Sequence, residues 1–270
     1  MSVPLNFDKM DKINLDKFLG LDENRKPNNL GLYRTNCLVI GKTGTGKTTT
    51  LLKALLSKAI DDFKYFIFII PRESMNSGFY KRLEVGIREK RINMNVSFVI
   101  IGEDTLPSIS RINEISEKVK GPIAIVLDDF INAFSEKNGD WLMFRRYVTQ
   151  LSRVKYGASL FALTQNWQQF DTQYRKNFNM FIIFVNSLRL QNFREIMTSY
   201  YDHGNFTKEQ LNELYNIFKQ DLHTPLWLIN SDDEDKSMIY DGVYLKPEDI
   251  FEELKDYKNS DSESNSDTEE

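Results

Sequence analysis

The chain has 270 residues, a mass of 31.7 kDa, 41% hydrophobic residues and a formal net charge of −4. This length and apolar content suit one α/β domain with a full core, and they leave no room for the two tandem motor domains of a monomeric helicase. The single cysteine, Cys37, excludes intrachain disulfides and cysteine-based zinc sites, which fits a reducing compartment.

The negative charge is concentrated at one end. Residues 256–270 carry six acids and one lysine, which leaves a net charge of +1 on residues 1–255. This Ser/Asp/Glu/Asn-rich tail is a solvated end or, alternatively, a partner-binding or DNA-mimicking arm. We expect an N-terminal extension over 1–34, one domain over 35–245, and a helix remnant with the acidic tail over 246–270. Residues 1–16 lack the apolar core of a secretory signal, and no apolar stretch approaches the roughly 20 residues of a membrane span.

The first strongly patterned segment is a strand, a glycine-rich turn and a helix. Residues 37–40 are apolar, and residues 48–60 carry leucines at helical spacing. Between them, residues 41–48 read GKTGTGKT and match the phosphate loop G-x-x-x-x-G-K-[ST]. Such a turn points backbone N–H groups into one concavity at the positive end of the helix dipole, where phosphate binds. The alternative is a chance turn rich in glycine and threonine.

This loop predicts ATP and Mg²⁺ as cofactors. Its glycines allow close backbone approach, Lys47 reaches the β- and γ-phosphates, and the Thr48 hydroxyl is offered to Mg²⁺. The predicted nucleotide-binding residues are Gly41, Lys42, Thr43, Gly44, Thr45, Gly46, Lys47, Thr48 and Thr49.

The next segments are a strand over Tyr65–Ile70, a polar and basic stretch, and a strand over 96–101. Arg72 follows the first of these strands, and the stretch contains the densest basic cluster, formed by Lys81, Arg82, Arg88, Lys90 and Arg91. Phosphate contacts of this kind would give sequence-independent DNA binding. A charged, solvated helix surface explains the same residues without DNA.

A second motif follows the chain break at residues 121–122. Ile123–Leu127 is a continuous apolar run, typical of a strand buried in a parallel sheet, and it ends in Asp128 and Asp129. We expect Asp128 to hold Mg²⁺ directly or through water, and Asp129 to orient or deprotonate the attacking water. Two adjacent acids favour hydrolysis over binding alone; the alternative is a solvated turn.

Residues 140–155 are predicted to form an amphipathic helix. One face is apolar, and Arg146, Gln150 and Arg153 lie opposite it. An exposed arginine here could reach the γ-phosphate bound by a neighbouring subunit, and we favour Arg153, then Arg146. A solvated basic face is the alternative.

A further strand over 159–164 ends in Gln165, whose amide can hydrogen-bond the γ-phosphate or the attacking water. A polar residue is, however, an ordinary strand ending. A strand over 180–185 follows. Alternating strands and helices predict a mainly parallel sheet. Because strands lie in sequence between the phosphate loop and Asp128, we favour a RecA-like, additional-strand P-loop NTPase. The chain lacks an N-K-x-D motif, a D-x-x-G at Asp128 and an ABC-type signature, which argues against a GTPase or an ABC protein.

The last patterned segments are two short strands around 226–229 and 238–240, with the acidic residues 232–235 expected in the turn between them. Neither His203 nor His223 has metal-ligand spacing, so we interpret both as surface or turn histidines.

The order GKTGTGKT, YFIFIIP, IAIVLDD and GASLFALTQ resembles the FtsK–HerA group of P-loop ATPases. Within that group it is most similar to the genome-packaging ATPases of poxviruses, giant viruses and related double-jelly-roll viruses. The motif similarity runs roughly from residue 36 to 165 and extends loosely to about 241. It implies a homo-oligomeric ring, a pentamer or hexamer, that hydrolyses ATP to drive double-stranded DNA into a preformed capsid. A viral capsid or vertex protein would be a partner, in the host cytoplasm, the viral factory or the virion.

By position, the resemblance implies that Lys47 and Thr48 are the phosphate and metal residues. It makes Asp128 and Asp129 the Walker-B pair and Gln165 the motif-III glutamine. Cellular members usually have Asp-Glu, and Asp-Asp is a departure that appears in the poxvirus-like branch. Two hypotheses therefore remain: an ATP-driven DNA translocase, and a nucleotide-dependent switch or assembly protein that moves nothing.

Overall fold

A computed structural model describes residues 35–76, 78–89, 95–128, 139–169, 172–201, 206–229, 237–240 and 243–245. The strands are β1 Asn36–Ile40, β2 Tyr65–Ile70, β3 Val96–Ile100, β4 Ile123–Leu127, β5 Ala158–Thr164, β6 Met180–Ile183, β7 Leu226–Ile229, β8 Ser237–Tyr240 and β9 Val243–Leu245. The helices are α1 Lys47–Asp62, α2 Arg72–Asn76, α3 Gly78–Arg88, α4 Ile109–Val119, α5 Gly139–Gln150, α6 Thr172–Arg175, α7 Leu190–Ile196 and α8 Lys208–Phe218. Among these helices, none is long and apolar enough to cross a membrane.

The strands form one sheet in the order β3-β2-β4-β5-β1-β6-β7-β8-β9. Every pairing from β3 to β6 is parallel, and the pairings of β7, β8 and β9 are antiparallel. The predicted α/β class with a mainly parallel sheet is confirmed. The carboxyl ends of the parallel strands therefore lie along one edge, which is where such sheets bind ligands.

The strand that separates the two motif strands is β5. It pairs with β1 on one side and with β4 on the other. The additional-strand class is therefore confirmed. The expectation that the additional strand comes from the segment between the two motifs was wrong. The strands that lie between the two motifs in sequence, β2 and β3, are outside β4 in the sheet. Sequence order does not determine lateral order, because a crossover can place its second strand on either side of the first.

Apolar side chains cover both faces of the sheet. In β1, Leu38 and Ile40 face one cluster, whereas Cys37 and Val39 face the other. This alternation follows from the period of two in a strand. Each large apolar side chain buried in this way contributes about 1.5–3 kcal/mol, so burial on both faces strongly stabilises the central strands.

Two elements end at least two residues earlier than the sequence predicts. The helix expected over 140–155 ends at Gln150, and a 3₁₀ turn follows over Leu151–Arg153. The strand expected over 180–185 ends at Ile183, and Val185–Ser187 forms another 3₁₀ turn. In both places buried apolar residues continue through the turn, so apolar spacing alone did not show where the regular element stops.

Candidate nucleotide-binding site

The glycine-rich turn closes against the end of β5. The Gly41 N–H donates to the Thr164 carbonyl oxygen at 3.1 Å, and the Thr50 N–H donates to the Gly46 carbonyl oxygen at 2.8 Å as helix α1 begins. Gly44 and Gly46 have φ values of +85° and +101°, a region that strains residues with a side chain. The backbone conformation at these two glycines gives the loop its curved shape around the concavity.

Gly41 is required for a different reason, which is space. A Cβ atom at this position would lie 2.6 Å from Thr45 Oγ1 and 2.9 Å from Phe184 Cδ2. Thr45 is itself buried, and its hydroxyl donates to the Lys42 carbonyl oxygen at 2.9 Å. A side chain at residue 41 would therefore push the loop away from β6.

Lys47 lies across the inside of the loop. Its ammonium donates to the carbonyl oxygens of Gly41, at 2.7 Å, and Lys42, at 3.1 Å. Thr48 and Thr49 follow it in the first turn of α1, and both are half-buried. The loop thus combines a cation with helix N-terminal N–H groups, which is the arrangement that attracts phosphate.

Asp128 lies at the carboxyl end of β4, beside α1. Its N–H donates to the Ile69 carbonyl oxygen at 3.0 Å, which aligns it with the end of β2. The Thr48 hydroxyl donates to Asp128 Oδ2 at 3.2 Å, and Asp128 is only 7% exposed. The structure therefore brings together the two residues that the sequence assigns to the metal. Asp129 lies outside the described residues.

Gln165 lies at the end of β5, on the loop side of the sheet. The Thr43 hydroxyl donates to its Oε1 at 3.1 Å. Gln165 is half-buried, in contrast to Asp128. The amide is therefore placed beside the phosphate loop, as the motif order predicts, but on a strand that separates β1 from β4.

Tyr80, which the sequence analysis did not single out, reaches the same acid. It comes from helix α3, and its hydroxyl donates to Asp128 Oδ2 at 2.6 Å. Tyr80 is 2% exposed, and this burial raises its pKa well above its usual range; the nearby Asp128 carboxylate raises the pKa further. The hydroxyl consequently keeps its proton and acts as a donor. The only local signal was the helical spacing of the buried residues Tyr80 and Leu83.

Two further contacts come from outside the loop. Ser187, which follows β6, accepts a hydrogen bond from the Lys42 N–H at 2.9 Å. His223, just before β7, places Nδ1 3.3 Å from the Thr45 carbonyl oxygen. His223 does lie in an exposed turn, as expected, but its contact with the phosphate loop was not foreseen. His203 and the acidic residues 232–235 lie outside the described residues.

The turn that carries His223 is ordered by Asp221. The Asp221 carboxylate accepts hydrogen bonds from the Thr224 hydroxyl and from the N–H groups of His223 and Thr224. The hydroxyl bond from Thr224 is the largest cause that lowers the pKa of Asp221 below its ordinary value. Because the carboxylate stays charged, the turn keeps its shape beside the loop.

Arg146 and Arg153 are both exposed, and Arg153 lies away from this edge of the sheet. Arg153 is in the 3₁₀ turn that leads into β5, whose first residue pairs with Ile123 at the start of β4. The seven residues of β5 span roughly 20 Å. Arg153 therefore lies at the opposite edge of the sheet from this chain's own phosphate loop.

The segment after Gln165 is firmly anchored. Trp167 is fully buried, and its indole N–H donates to Glu195 Oε2 at 3.0 Å. Arg175 binds the other oxygen of the same carboxylate, and its guanidinium lies 4.3 Å from the centroid of the Trp167 ring. The chain that continues from Gln165 is thus tied to helices α6 and α7.

The predicted basic cluster is only partly described. Arg72 is paired with Glu103, and Lys81 and Arg88 are exposed on α3. Glu84, also exposed, lies between those two on the same helical face, at spacings of three and four residues. The described part of this face is therefore mixed in charge. Lys90 and Arg91 lie outside the described residues.

The donor set suits magnesium. A threonine hydroxyl and one carboxylate are hard oxygen ligands, and Mg²⁺ in nucleotide sites is usually held by one or two carboxylates together with phosphate and water. Among the described residues there is no cluster of three His, Cys, Asp or Glu that could form a metal cage. The loop, the acid at the end of β4 and the intervening strand β5 define the fold of a P-loop NTPase with an additional strand.

Solved structures share this fold. The DNA-packaging ATPase B204 from Sulfolobus turreted icosahedral virus is 13% identical, with a TM-score of 0.52 over 77% of this chain and 97% of that chain. The genome-packaging NTPase B204 from Sulfolobus turreted icosahedral virus 2 is 13% identical in its AMP complex, with a TM-score of 0.50 over 76% and 96%. Its sulfate complex is 12% identical, with a TM-score of 0.50 over 76% and 95%. No protein-family model and no curated protein matches the chain. The fold of the packaging ATPases that the motifs resemble is therefore present.

Proposed function

We propose that this chain is an ATP-driven translocase of double-stranded DNA, which packages a viral genome into a preformed capsid as a homo-oligomeric ring. The observation that carries the proposal is the hydrogen bond between Thr48 and Asp128. It joins the phosphate loop to the acid across the intervening strand, at whose end lies Gln165. The fold shared with viral packaging ATPases along almost their whole length supports the packaging role.

Each residue has a defined part in ATP hydrolysis. Lys47 and the loop N–H groups would bind the β- and γ-phosphates, and Thr48 and Asp128 would hold Mg²⁺. When bound, this ion supplies positive charge that neutralises the phosphate oxygens. Gln165 orients the attacking water beside the γ-phosphate, and Asp129 accepts a proton from that water.

In the ring, a second copy would contribute an arginine to the site. Arg153 lies at the opposite edge of the sheet from its own phosphate loop, and Arg146 and Arg153 are both exposed. In a ring of five or six copies, one of them would reach the neighbour's γ-phosphate and stabilise the charge of the transition state, an effect that is worth about 10³–10⁵ in kcat in other P-loop enzymes.

DNA binding would be independent of sequence. Contacts to phosphates from exposed lysines and arginines, such as Lys81 and Arg88, provide this kind of binding, which weakens steeply as salt rises. A viral capsid or vertex protein would be a further partner. The acidic tail, which lies outside the described residues, is either a solvated end or an arm that binds a partner.

Steady-state ATP hydrolysis with and without duplex DNA is the direct test. We expect the rate per subunit to rise with protein concentration, because assembly completes the site, and to rise again when DNA is added. A rate per subunit that changes neither with DNA nor with protein concentration would favour the alternative. That alternative is a nucleotide-dependent switch or assembly protein that does not translocate DNA.

A mixing experiment tests for catalysis between subunits. Lys47→Ala subunits should fold and assemble but not hydrolyse ATP, so adding them to wild type should reduce the rate more than in proportion to their share. The matched control is Lys53→Ala, a lysine on the same helix but outside the loop, which should leave the rate unchanged. A hydrolysis rate that falls strictly in proportion to the share of Lys47→Ala subunits would contradict catalysis between neighbouring subunits.

A further inference from the structure

We propose that Tyr80 is a positioning residue of the nucleotide site: it holds the Asp128 carboxylate in the orientation that faces Thr48, and it thereby sets how strongly Mg²⁺ increases nucleotide affinity. The inference rests on the proposed function only in requiring that this site binds a nucleotide together with Mg²⁺. It assigns a part in the site to helix α3, which lies outside the motifs.

The contact is short, buried and directed. The Tyr80 hydroxyl is 2.6 Å from Asp128 Oδ2, and the two residues are 2% and 7% exposed. The same oxygen accepts the hydroxyl of Thr48 at 3.2 Å. The terminal torsion of an aspartate is normally broad, so two donors that converge on one oxygen restrict its rotation. Hydrogen bonds to a charged acceptor away from water are also the strong ones.

The tyrosine itself has little freedom to move. Its ring packs edge-on against Phe68 of β2, with centroids 5.9 Å apart, and against Phe79 at 5.3 Å. Strand β2 is the direct neighbour of β4, which carries Asp128. The aromatic cluster therefore fixes the position of the Tyr80 hydroxyl. Because this hydroxyl donates to Asp128, a shift of α3 would change the orientation of the carboxylate.

Tyr147 distinguishes positioning from mere stabilisation. It is also fully buried, and its hydroxyl also makes a 2.6 Å bond, but the acceptor is the Pro107 carbonyl oxygen. Tyr147 lies on α5 and belongs to the apolar cluster on the other face of the sheet. Removal of either hydroxyl should destabilise the fold to a similar extent, whereas only Tyr80 touches the acid.

The test measures nucleotide binding rather than turnover. For the wild type, Tyr80→Phe and Tyr147→Phe, the affinity for ADP and for a non-hydrolysable ATP analogue is measured by calorimetry, once with Mg²⁺ and once with EDTA. Partners of metal ligands typically affect metal affinity by 10–100-fold. We therefore expect the Mg²⁺-dependent gain in affinity to fall by about tenfold in Tyr80→Phe alone, with binding in EDTA unchanged in all three proteins.

Two outcomes would overturn the proposal. One is an equal Mg²⁺-dependent gain in Tyr80→Phe and Tyr147→Phe, and the other is a larger gain in Tyr80→Phe. If Tyr80→Phe does not fold, Tyr80→Met, which also lacks the hydroxyl but has a flexible side chain, replaces it. In a protein that already carries Asp128→Asn, Tyr80→Phe should not reduce the Mg²⁺-dependent gain in nucleotide affinity any further. A wild type that binds no nucleotide would instead contradict the proposed function.

Discussion

Two neighbouring strand ends face the phosphate loop, and they hold their polar groups differently. At the end of β4, Asp128 is almost fully buried and accepts hydrogen bonds from Tyr80 and Thr48. At the end of β5, Gln165 is half-buried and accepts one from Thr43, which belongs to the exposed part of the loop. The carboxylate of Asp128 is thus buried and held by two donors, while the amide of Gln165 lies closer to water, as the proposed roles of a metal ligand and of a group that responds to the γ-phosphate would require.

The largest expected effect is at the fixed end. Asp128→Asn should lower kcat by at least about 10³-fold, because a metal-held charge contributes several kcal/mol to the transition state. The amide oxygen can still accept hydrogen bonds from Tyr80 and Thr48, so the melting temperature should change little. Steady-state hydrolysis and thermal melting measure both effects, and turnover within tenfold of wild type would show that Asp128 does not hold the metal.

At the half-buried end, the expected loss is smaller. Gln165→Ala should lower kcat by about 10²-fold, a typical cost for one lost group that binds the transition state, and nucleotide affinity should change by less than about threefold. Gln168→Ala is the matched control, since this exposed glutamine lies on the same segment and contacts Asn192 instead. Equal rates for the two variants would remove Gln165 from the mechanism.

The anchor behind Gln165 can be tested through stability. Glu195→Gln should lower the free energy of unfolding by about 2 kcal/mol, because it leaves the buried Arg175 guanidinium without its carboxylate. Urea unfolding is the measurement. Glu114→Gln, which removes an exposed partner of the exposed Arg111, should cost less than about 1 kcal/mol. If both changes cost the same, the cluster around Trp167 is not an anchor.

The smallest effect is expected in the loop itself. Thr43→Val removes the hydroxyl that binds Gln165 but keeps the shape of the side chain. Since Thr43 is exposed and water can replace it, kcat should change by about two- to threefold and stability by less than about 1 kcal/mol. A loss as large as that of Gln165→Ala would mean that the loop holds the amide as rigidly as Tyr80 holds Asp128.

The sequence predicted what depends on local pattern. The loop between β1 and α1 and the apolar run that ends at Asp128 depend on spacing within about 20 residues, and the structure places both as predicted. The end of β5 at Gln165 was also predicted. The lateral position of β5 was not, because strand order depends on how distant segments pack together.

The missed contacts are all long-range in sequence. Tyr80 and Asp128 are 48 residues apart, Lys42 and Ser187 are 145 apart, and Thr45 and His223 are 178 apart. A single tyrosine, serine or histidine in a polar stretch carries no periodic signal, so only the folded sheet shows that these residues converge on the loop. The exposed position of Arg146 followed from helical spacing, whereas the position of Arg153 in a 3₁₀ turn, far from the loop, did not.

The single thiol offers a way to observe the centre of this sheet. Cys37 is fully buried in β1, between β5 and β6, and burial strongly raises its pKa. Because the reactive species is the thiolate, a labelling reagent can modify this residue only when the strands around it separate. The labelling rate of Cys37 therefore reports how often the sheet opens. This rate should fall when a nucleotide bound to the loop holds β1 more tightly.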